Sequence, residues 1–432
     1  MPQQLSRRHF LTSSAAAAAP IVLGRNARAV SASDPDVLRV GLVGCGGRGT
    51  GAANQALRAE DGTVVLTAVA DMFPDRMERS LEALRGALGE NADRIQVPDD
   101  RKFLGFDAID KLLATDVDVV LLATPPHFRP AHLAAAINAG KHVFAEKPFA
   151  VDAPGVRSVL ETAALAKSKG LSLVSGFCWR YHERHRELFE RLHNGAIGDI
   201  RAIYTTYNTT PNGEHARQEG WTDMEWQIRN WYHLIWLSGD HITEQACHSL
   251  DKMAWAMKDI APLSVTATGG RQTRQGPASG NIFDHFSATF EYPDGVKGFH
   301  MSRQMNGCSY DNSDYMLGSK GTATIQGWVP LHRIEGENAW EYEGEGNHNA
   351  LMYQREHDEL FASIRARKPM NDGVWAAHST MLAIMTRMSA YTGQTIEWQQ
   401  AMESQEKLGP EHYSMGWVGM SKVPTPGQRR FS

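Results

Sequence analysis

The sequence predicts an α/β fold in two parts: a parallel sheet with helices between its strands, then an α+β region built on a large, mostly antiparallel sheet. Three observations predict it. Between Arg39 and Cys178, short apolar runs alternate with segments of helical period. The first of those runs passes directly into a glycine-rich turn, Gly44-Cys45-Gly46-Gly47-Arg48-Gly49, and then into a helical pattern. From Arg201 onward the pattern changes to β-type runs separated by turn residues.

Taken in order, Arg39 to Val43 reads as a buried strand and Thr50 to Arg58 as a helix. The segment between them has the form G-x-G-x-x-G. Its first glycine makes a tight turn, its second lets backbone N–H groups approach a pyrophosphate, and its third brings helix close to strand. The helix N-terminus adds partial positive charge. This is a Rossmann dinucleotide-binding pattern, and Gly44, Gly46, Gly47, Arg48 and Gly49 are its candidate cofactor residues. A second apolar run, Thr63 to Ala70, ends on Asp71, 22 positions after Gly49. A carboxylate there accepts a bond from a ribose 2′-OH and repels a 2′-phosphate, so NAD is expected in preference to NADP.

Met77, Leu81, Leu84 and Leu88 recur at helical intervals, Ile95 to Val97 is a short strand candidate, and Asp107 to Ala114 a helix. Val117 to Thr124 is a nearly continuous apolar strand, as in a sheet covered on both faces. It stops at Thr124-Pro125-Pro126, where prolines end ladder pairing. A helix from Pro130 to Asn138 closes at Gly140, and the fifth strand, from Lys141 to Ala145, ends at Glu146-Lys147-Pro148. Ligands in open α/β sheets bind beyond the carboxyl ends of the strands, so Thr124, Pro125, Glu146 and Lys147 should converge with the glycine loop on one crevice. Ala153 to Lys169 is a helix, and Leu171 to Cys178 the strand that closes this domain.

The second region reads as strands at Ile203 to Thr209, Val265 to Thr268 and Phe286 to Tyr292. The last of these turns at Pro293-Asp294-Gly295 into Val296 to Met301. Tyr315 to Ile325 is a hairpin around Gly318 to Gly321. Helices return at His357 to Arg367 and Ala376 to Tyr391, and Glu411 to Ser432 has no apolar period. The resulting division is 1–29 leader, 37–178 nucleotide domain, 179–393 substrate and oligomerisation domain, and 394–432 tail.

The leader has its own signature. Ser6-Arg7-Arg8-His9-Phe10-Leu11 has the twin-arginine pattern, Ala15 to Leu23 is apolar, and Ala27-Arg28-Ala29 fits a cleavage site. Export by the twin-arginine machinery to the periplasm or cell exterior is expected; that route carries folded cargo with its cofactor, and because little free NAD is expected outside the cytoplasm, the nucleotide is expected to be tightly held. The chain has 432 residues, 44 basic and 49 acidic side chains and a formal net charge of −5, which gives no nucleic-acid surface. No apolar run reaches the roughly 20 residues of a membrane span. Cys45, Cys178, Cys247 and Cys308 lie far apart without C-x-x-C spacing and read as buried thiols.

The Gly44 to Gly49 loop, Ala123-Thr124-Pro125-Pro126-His127, His132 through Ala139-Gly140-Lys141-His142-Val143, and Glu146-Lys147-Pro148, in that order and spacing, resemble the glucose–fructose oxidoreductase and inositol dehydrogenase family (Gfo/Idh/MocA). The resemblance covers about Arg39 to Gly393 and is sharpest before residue 182. It implies an open-faced sheet in the second domain, a homo-oligomer, and a catalytic role for Lys147. A lysine beside a nicotinamide can hydrogen-bond the reacting hydroxyl and stabilise an alkoxide.

The stretch from Asp240 to Asp251 reads as one helix with His241, Glu244, His248 and Asp251 on a single stripe. The family has an Asp and a His at the positions of Glu244 and His248, the His acting as acid or base and the acid orienting it. Here Asp has become Glu. A solvated polar face is the competing reading. Metal ligation by His241, Glu244 and His248 is disfavoured, because H-x-x-E-x-x-x-H is not H-E-x-x-H, and no metal is expected. Aromatic and basic clusters around Trp179-Arg180-Tyr181 and Arg229 to His233 suit sugar recognition as well as core packing. From these, Arg180, Tyr181 and Trp231, with His241, are substrate candidates.

The expected function is an NAD(P)-dependent oxidoreductase acting on a hydroxyl of a sugar, polyol or glycoside. An NAD-dependent glycosidase working by transient oxidation and elimination, and a non-catalytic dinucleotide sensor, remain alternatives at this point.

Overall fold

The computed structural model describes residues 36–327, 329, 331–344 and 349–428. The leader, 1–29, lies outside the described residues. The chain begins with β1 (Leu38–Val43), α1 (Gly47–Leu57), β2 (Val64–Asp71), α2 (Pro74–Leu88) and β3 (Lys102–Leu104). Next come α3 (Ala108–Leu113), β4 (Val119–Leu122), α4 (Arg129–Asn138), β5 (His142–Ala145), α5 (Ala153–Ser168) and β6 (Leu173–Ser175). The strands form a six-stranded sheet in the order β3-β2-β1-β4-β5-β6, and every pair in it is parallel. Helices pack on both faces, so all four residues of β4 are buried. Ile95 does not start a strand of this sheet. It makes a single parallel bridge to Leu66, and the third strand is Lys102–Leu104.

The second part contains α6 (Glu183–His193), β7 (Ile200–Thr209), α7 (Asp223–Arg229), α8 (Ile235–Ser238), α9 (His241–Glu244) and α10 (Cys247–Ala256). Then follow β8 (Ser264–Gly270), β9 (His285–Glu291), β10 (Lys297–Gln304), β11 (Ser313–Gly318), β12 (Gly321–Gln326), β13 (Leu331–Gly336) and β14 (Trp340–Glu341). The last elements are α11 (Asn349–Arg365), α12 (Gly373–Thr392), β15 (Ile396–Glu397) and α13 (Trp398–Glu403). Nine strands make one sheet, β14-β13-β12-β11-β7-β10-β9-β8-β15, antiparallel except where β10 meets β7. In β10, buried residues alternate with others, and Phe299 and Met301 stay 40% and 38% exposed on the uncovered face. The covered face packs against α10 and α12. This is the two-sheet α/β plan read from the sequence.

The stretch from Asp240 to Asp251 is two helices and not one. A continuous helix would bond the Glu244 carbonyl to the His248 N–H. Instead His248 N donates to Gln245 O at 3.3 Å, and the Glu244 carbonyl accepts from the Lys147 ammonium. The chain breaks at Gln245 because a lysine from the other domain takes the helix's acceptor.

Beyond α13 the tail runs across both domains without regular structure. Leu408 N donates to Asp152 Oδ2 at 2.9 Å, and Tyr413 Oη lies 2.7 Å from His127 Nε2. Farther on, Gly416 O accepts from Met224 N at 3.0 Å and Val418 O from Gln227 Nε2 at 3.0 Å. No helix among the described residues is long and apolar enough to cross a membrane.

Candidate active site

The crevice forms where the order of the first sheet reverses: β1 has β2 on one side and β4 on the other, so the loops beyond their carboxyl ends diverge. The space free of protein atoms there, counted out into the solvent at its open mouth, is about 930 Å³. Gly44 has φ +96°, and a Cβ on it would lie 2.7 Å from the Ala123 carbonyl carbon. A Cβ on Gly49 would stand 1.8 Å from the Gly44 oxygen, so helix meets strand backbone to backbone. At Gly47, by contrast, a Cβ would meet nothing within 4 Å, because that space belongs to the cleft. α1 begins here, and its cap Gly46 makes no side-chain hydrogen bond. The first N–H groups of a helix have no intrahelical acceptor, so this N-terminus presents donors and partial positive charge to an anion. A glycine cradle with open space above it and uncommitted donors below fits the pyrophosphate of a dinucleotide.

Asp71 closes β2. Its Oδ2 accepts from Cys45 N at 2.6 Å and its Oδ1 from Phe73 N at 2.9 Å. Burial outweighs those bonds and raises its pKa above the ordinary carboxylate value. Of the predicted cofactor residues, Gly44, Gly46, Gly47, Arg48, Gly49, Asp71, Thr124 and Pro125 line the cleft. Glu146 and Lys147 stand outside that lining. They connect to it through an ion pair of 2.6 Å between Arg48 Nε and Glu146 Oε1, which ties the first turn of α1 to the end of β5.

Lys147 is held by two groups of one residue: its Nζ donates to the Glu244 carbonyl and lies 3.1 Å from Glu244 Oε1. Both side chains are nearly enclosed, 12% and 13% exposed. Burial works against the ammonium, but the Glu244 carboxylate, with Cys247 and Glu146, outweighs it and raises the Lys147 pKa. His248 Nδ1 is buried without a partner. Burial, then the cations of Lys147 and Lys252, push this imidazole well below the ordinary histidine value, so it is neutral. Tyr232 Oη accepts from Gln304 Nε2 at 2.9 Å, and Gln304 also donates to Gln245 Oε1 at 2.6 Å. Burial and the Glu244 carboxylate raise the Tyr232 and Tyr207 phenols, which stay protonated.

Several sequence expectations change. Glu244 does not orient His248, because its carboxylate is committed to Lys147. Arg180 is not in the crevice. Its Nε donates to Asp251 Oδ1 at 2.9 Å, Asp259 takes the other end, and its guanidinium carbon lies 4.1 Å from the Trp375 ring centroid. Tyr181 is core, its hydroxyl donating to Asp372 Oδ2 at 2.5 Å. His241 is 1% exposed, with Nδ1 3.2 Å from the Phe283 carbonyl beneath the second sheet. Of the four substrate candidates, Trp231 alone stands on the cleft wall. Of the four thiols, Cys308 is half-buried.

Sequence reasoning missed Arg76 and Phe128 on that wall, and Gln304 beside Tyr232. Arg76 carried a usable signal, since it follows the strand-end acid by five positions. Gln304 carried none, because it reaches the site only through the register of β10.

Comparison with known proteins agrees with this geometry. The model of the GFO/IDH/MocA oxidoreductase family with its NAD-binding Rossmann fold matches residues 38–177, and the model of the GFO/IDH/MocA C-terminal domain matches 185–324. The chain is 33% identical over 174 residues to a dTDP-3,4-didehydro-2,6-dideoxy-alpha-D-glucose 3-reductase of Actinomadura kijaniata, covering 40% of this chain and 46% of that one. It is 26% identical over 294 residues to an inositol 2-dehydrogenase of Rhizobium meliloti, 68% of this chain and 77% of that one. The chain thus spans about half the length of the first relative. In fold it is similar to a levoglucosan dehydrogenase solved with NADH and levoglucosan, with a TM-score of 0.66 at 15% identity over 84% of this chain and 99% of that one. An aldose-aldose oxidoreductase of Caulobacter crescentus gives a TM-score of 0.65 at 19% identity over 83% and 99%. With both halves of one family plan matched in order along a single chain, this protein belongs to the Gfo/Idh/MocA family of oxidoreductases.

Proposed function

We propose that the protein is an NAD-dependent oxidoreductase acting on a hydroxyl of a sugar, polyol or glycoside. One observation carries the reading: at the carboxyl end of β5 a carboxylate-held ammonium, Lys147, stands beside a neutral imidazole, His248, and Arg48–Glu146 joins that pair to the pyrophosphate cradle. The strand-end carboxylate Asp71 supports NAD over NADP. Relatives named as acting on inositol, levoglucosan and deoxysugars support the substrate class. When bound, the nicotinamide supplies the hydride acceptor. The chain's own residues handle the proton. His248 Nδ1, unpartnered and neutral, accepts it from the substrate hydroxyl. Lys147, fixed by Glu244, stabilises the oxygen that is left. Glu244 is a positioning residue for Lys147.

Lys147→Ala should lower kcat by about 10²-fold or more, the size of a lost charge-stabilising donor, with bound nucleotide retained. Mass spectrometry of the denatured protein and turnover on a polyol panel read the two separately. Loss of nucleotide with normal turnover after reloading would refute the assignment.

The twin-arginine pattern at Arg7-Arg8 supports export to the periplasm or cell exterior. Exposed Phe299, Met301 and Leu317 on the outer face of the nine-stranded sheet support a homo-oligomer. Fractionation followed by light scattering tests both. The exported protein should have a mass that is a multiple of the chain without residues 1–29, and replacing Arg7 and Arg8 by Lys should leave it in the cytoplasm.

A further inference from the structure

Away from the crevice, three histidines meet in the interior. His182 precedes α6, His185 sits in its first turn, and His332 comes from β13. They are 2%, 0% and 2% exposed. One ligand-type atom from each lies within 4.8 Å of the others, and His332 Nε2 approaches His185 Nδ1 to 2.9 Å. None of the three lines the nucleotide cleft.

Burying three imidazoles together is unfavourable unless their nitrogens have something to bind; His185 meets His332 through Nδ1, and its other nitrogen, Nε2, is buried without a partner, so the ring can offer either one to an ion. The separations suit a cation. Zinc–nitrogen bonds of about 2.0–2.1 Å in a tetrahedron put ligand nitrogens roughly 3.3 Å apart. The observed 2.9 Å contact and the 4.8 Å outer bound bracket that figure. His182 also has an outer partner of the kind metal-binding histidines use. Its Nε2 lies 3.1 Å from Asn349 Oδ1, and donating there leaves the lone pair on Nδ1. The nearby cation, Lys252, works against positive charge at His185, and its ion pair with Asp314 in the core offsets part of that repulsion.

We propose that His182, His185 and His332 bind one divalent transition-metal ion of the imidazole-preferring class, zinc in the first instance, which fastens the start of α6 to β13. An all-nitrogen set selects zinc, copper, nickel or cobalt and discriminates against magnesium and calcium. The histidines come from two elements far apart in sequence, so the ion would cross-link the segment leaving the nucleotide domain to the far end of the second sheet. Its role is structural and separate from the Lys147 chemistry.

The test uses the full chain with its bound nucleotide, incubated with zinc and dialysed. The expected result is about one zinc per chain by elemental analysis, with Tm falling by several degrees on chelation and recovering with zinc but not magnesium. Cobalt in place of zinc should give the visible absorption bands of a low-coordinate nitrogen site. His185→Ala and His332→Ala should each bring the metal below about 0.1 equivalent while nucleotide content is kept. Wild-type chain that holds less than about 0.1 equivalent and gives no cobalt bands would overturn the proposal even if both variants fail to fold. So would full metal content in either variant.

Discussion

Lys147 and Glu244 show how much one residue can depend on another's backbone. The ammonium takes both the carboxylate and the main-chain carbonyl of Glu244, and the second bond stands in place of the helical one that would otherwise come from His248 N. Glu244→Gln removes the charge and keeps the shape. Burial then acts on Lys147 with less opposition, and its pKa falls from above the ordinary lysine value toward or below it. Deprotonation removes the charge that stabilises the oxyanion. A pH profile of kcat between about 6 and 10 should therefore show an alkaline decline in Glu244→Gln that wild type lacks. An unchanged profile would mean that the carboxylate does not govern this lysine. At the acid side, His248 already titrates below the ordinary range, so activity should be flat near neutrality as far as this group is concerned.

At the level of the element, the β1–turn–α1 unit separates two uses of glycine. Gly49→Ala drives a methyl into the Gly44 carbonyl and should lower Tm sharply. Gly47→Ala adds its methyl in the open cleft at the first position of α1, where it should leave the nucleotide-free protein as stable or more stable by about 0.5–1 kcal/mol. The same methyl should weaken nucleotide binding by about tenfold or more, since it occupies the approach of the pyrophosphate. Thermal melts with and without NAD check both outcomes.

This unit was legible in the sequence because its signals are local: an apolar strand, a glycine spacing and a helical period, all within a few turns. The hairpin β11–β12 was legible for the same reason. The third strand was not, because Lys102–Leu104 is a short, half-exposed edge with no alternation to read. The helix break at Gln245 was not, because it comes from Lys147 nearly a hundred positions earlier. Arg180, Tyr181 and His241 have the right chemistry for a sugar pocket, but their partners Asp251, Asp372 and Phe283 are brought to them only by tertiary packing.

At the scale of the whole molecule, buried histidines set the acid limit. Burial lowers His300 and His357 to about 3 and His233 to about 4, and the half-buried His132 and His127 to about 3 and 4. A folded pKa below the unfolded value means that the unfolded chain binds protons the fold refuses. The stability they contribute is present above about pH 6.5 and is lost as pH falls toward 4. Asp314, raised to about 6 by burial, works in the other direction, as do Asp251 and Asp372, whose pKa values burial also raises. Asp314 takes up its proton near pH 6, below the ordinary histidine value of about 6.5 at which the five imidazoles begin to charge in the unfolded chain, and those five outnumber it. Tm should fall between pH 7.5 and 5.5, and a rise in calorimetry over that interval would contradict this balance.

The tail that leaves α13 leans its Tyr413 ring on Phe106 and Phe128, two walls of the cleft, before bonding to residues of the opposite domain. A belt fastened at both ends governs traffic and not preference. If a dinucleotide can pass only when that belt slackens, arrival and departure slow together and their ratio is untouched, which stopped-flow binding of NAD to a chain ending before Tyr413 would show as both rates rising. A cofactor of ordinary affinity can in this way become a resident one.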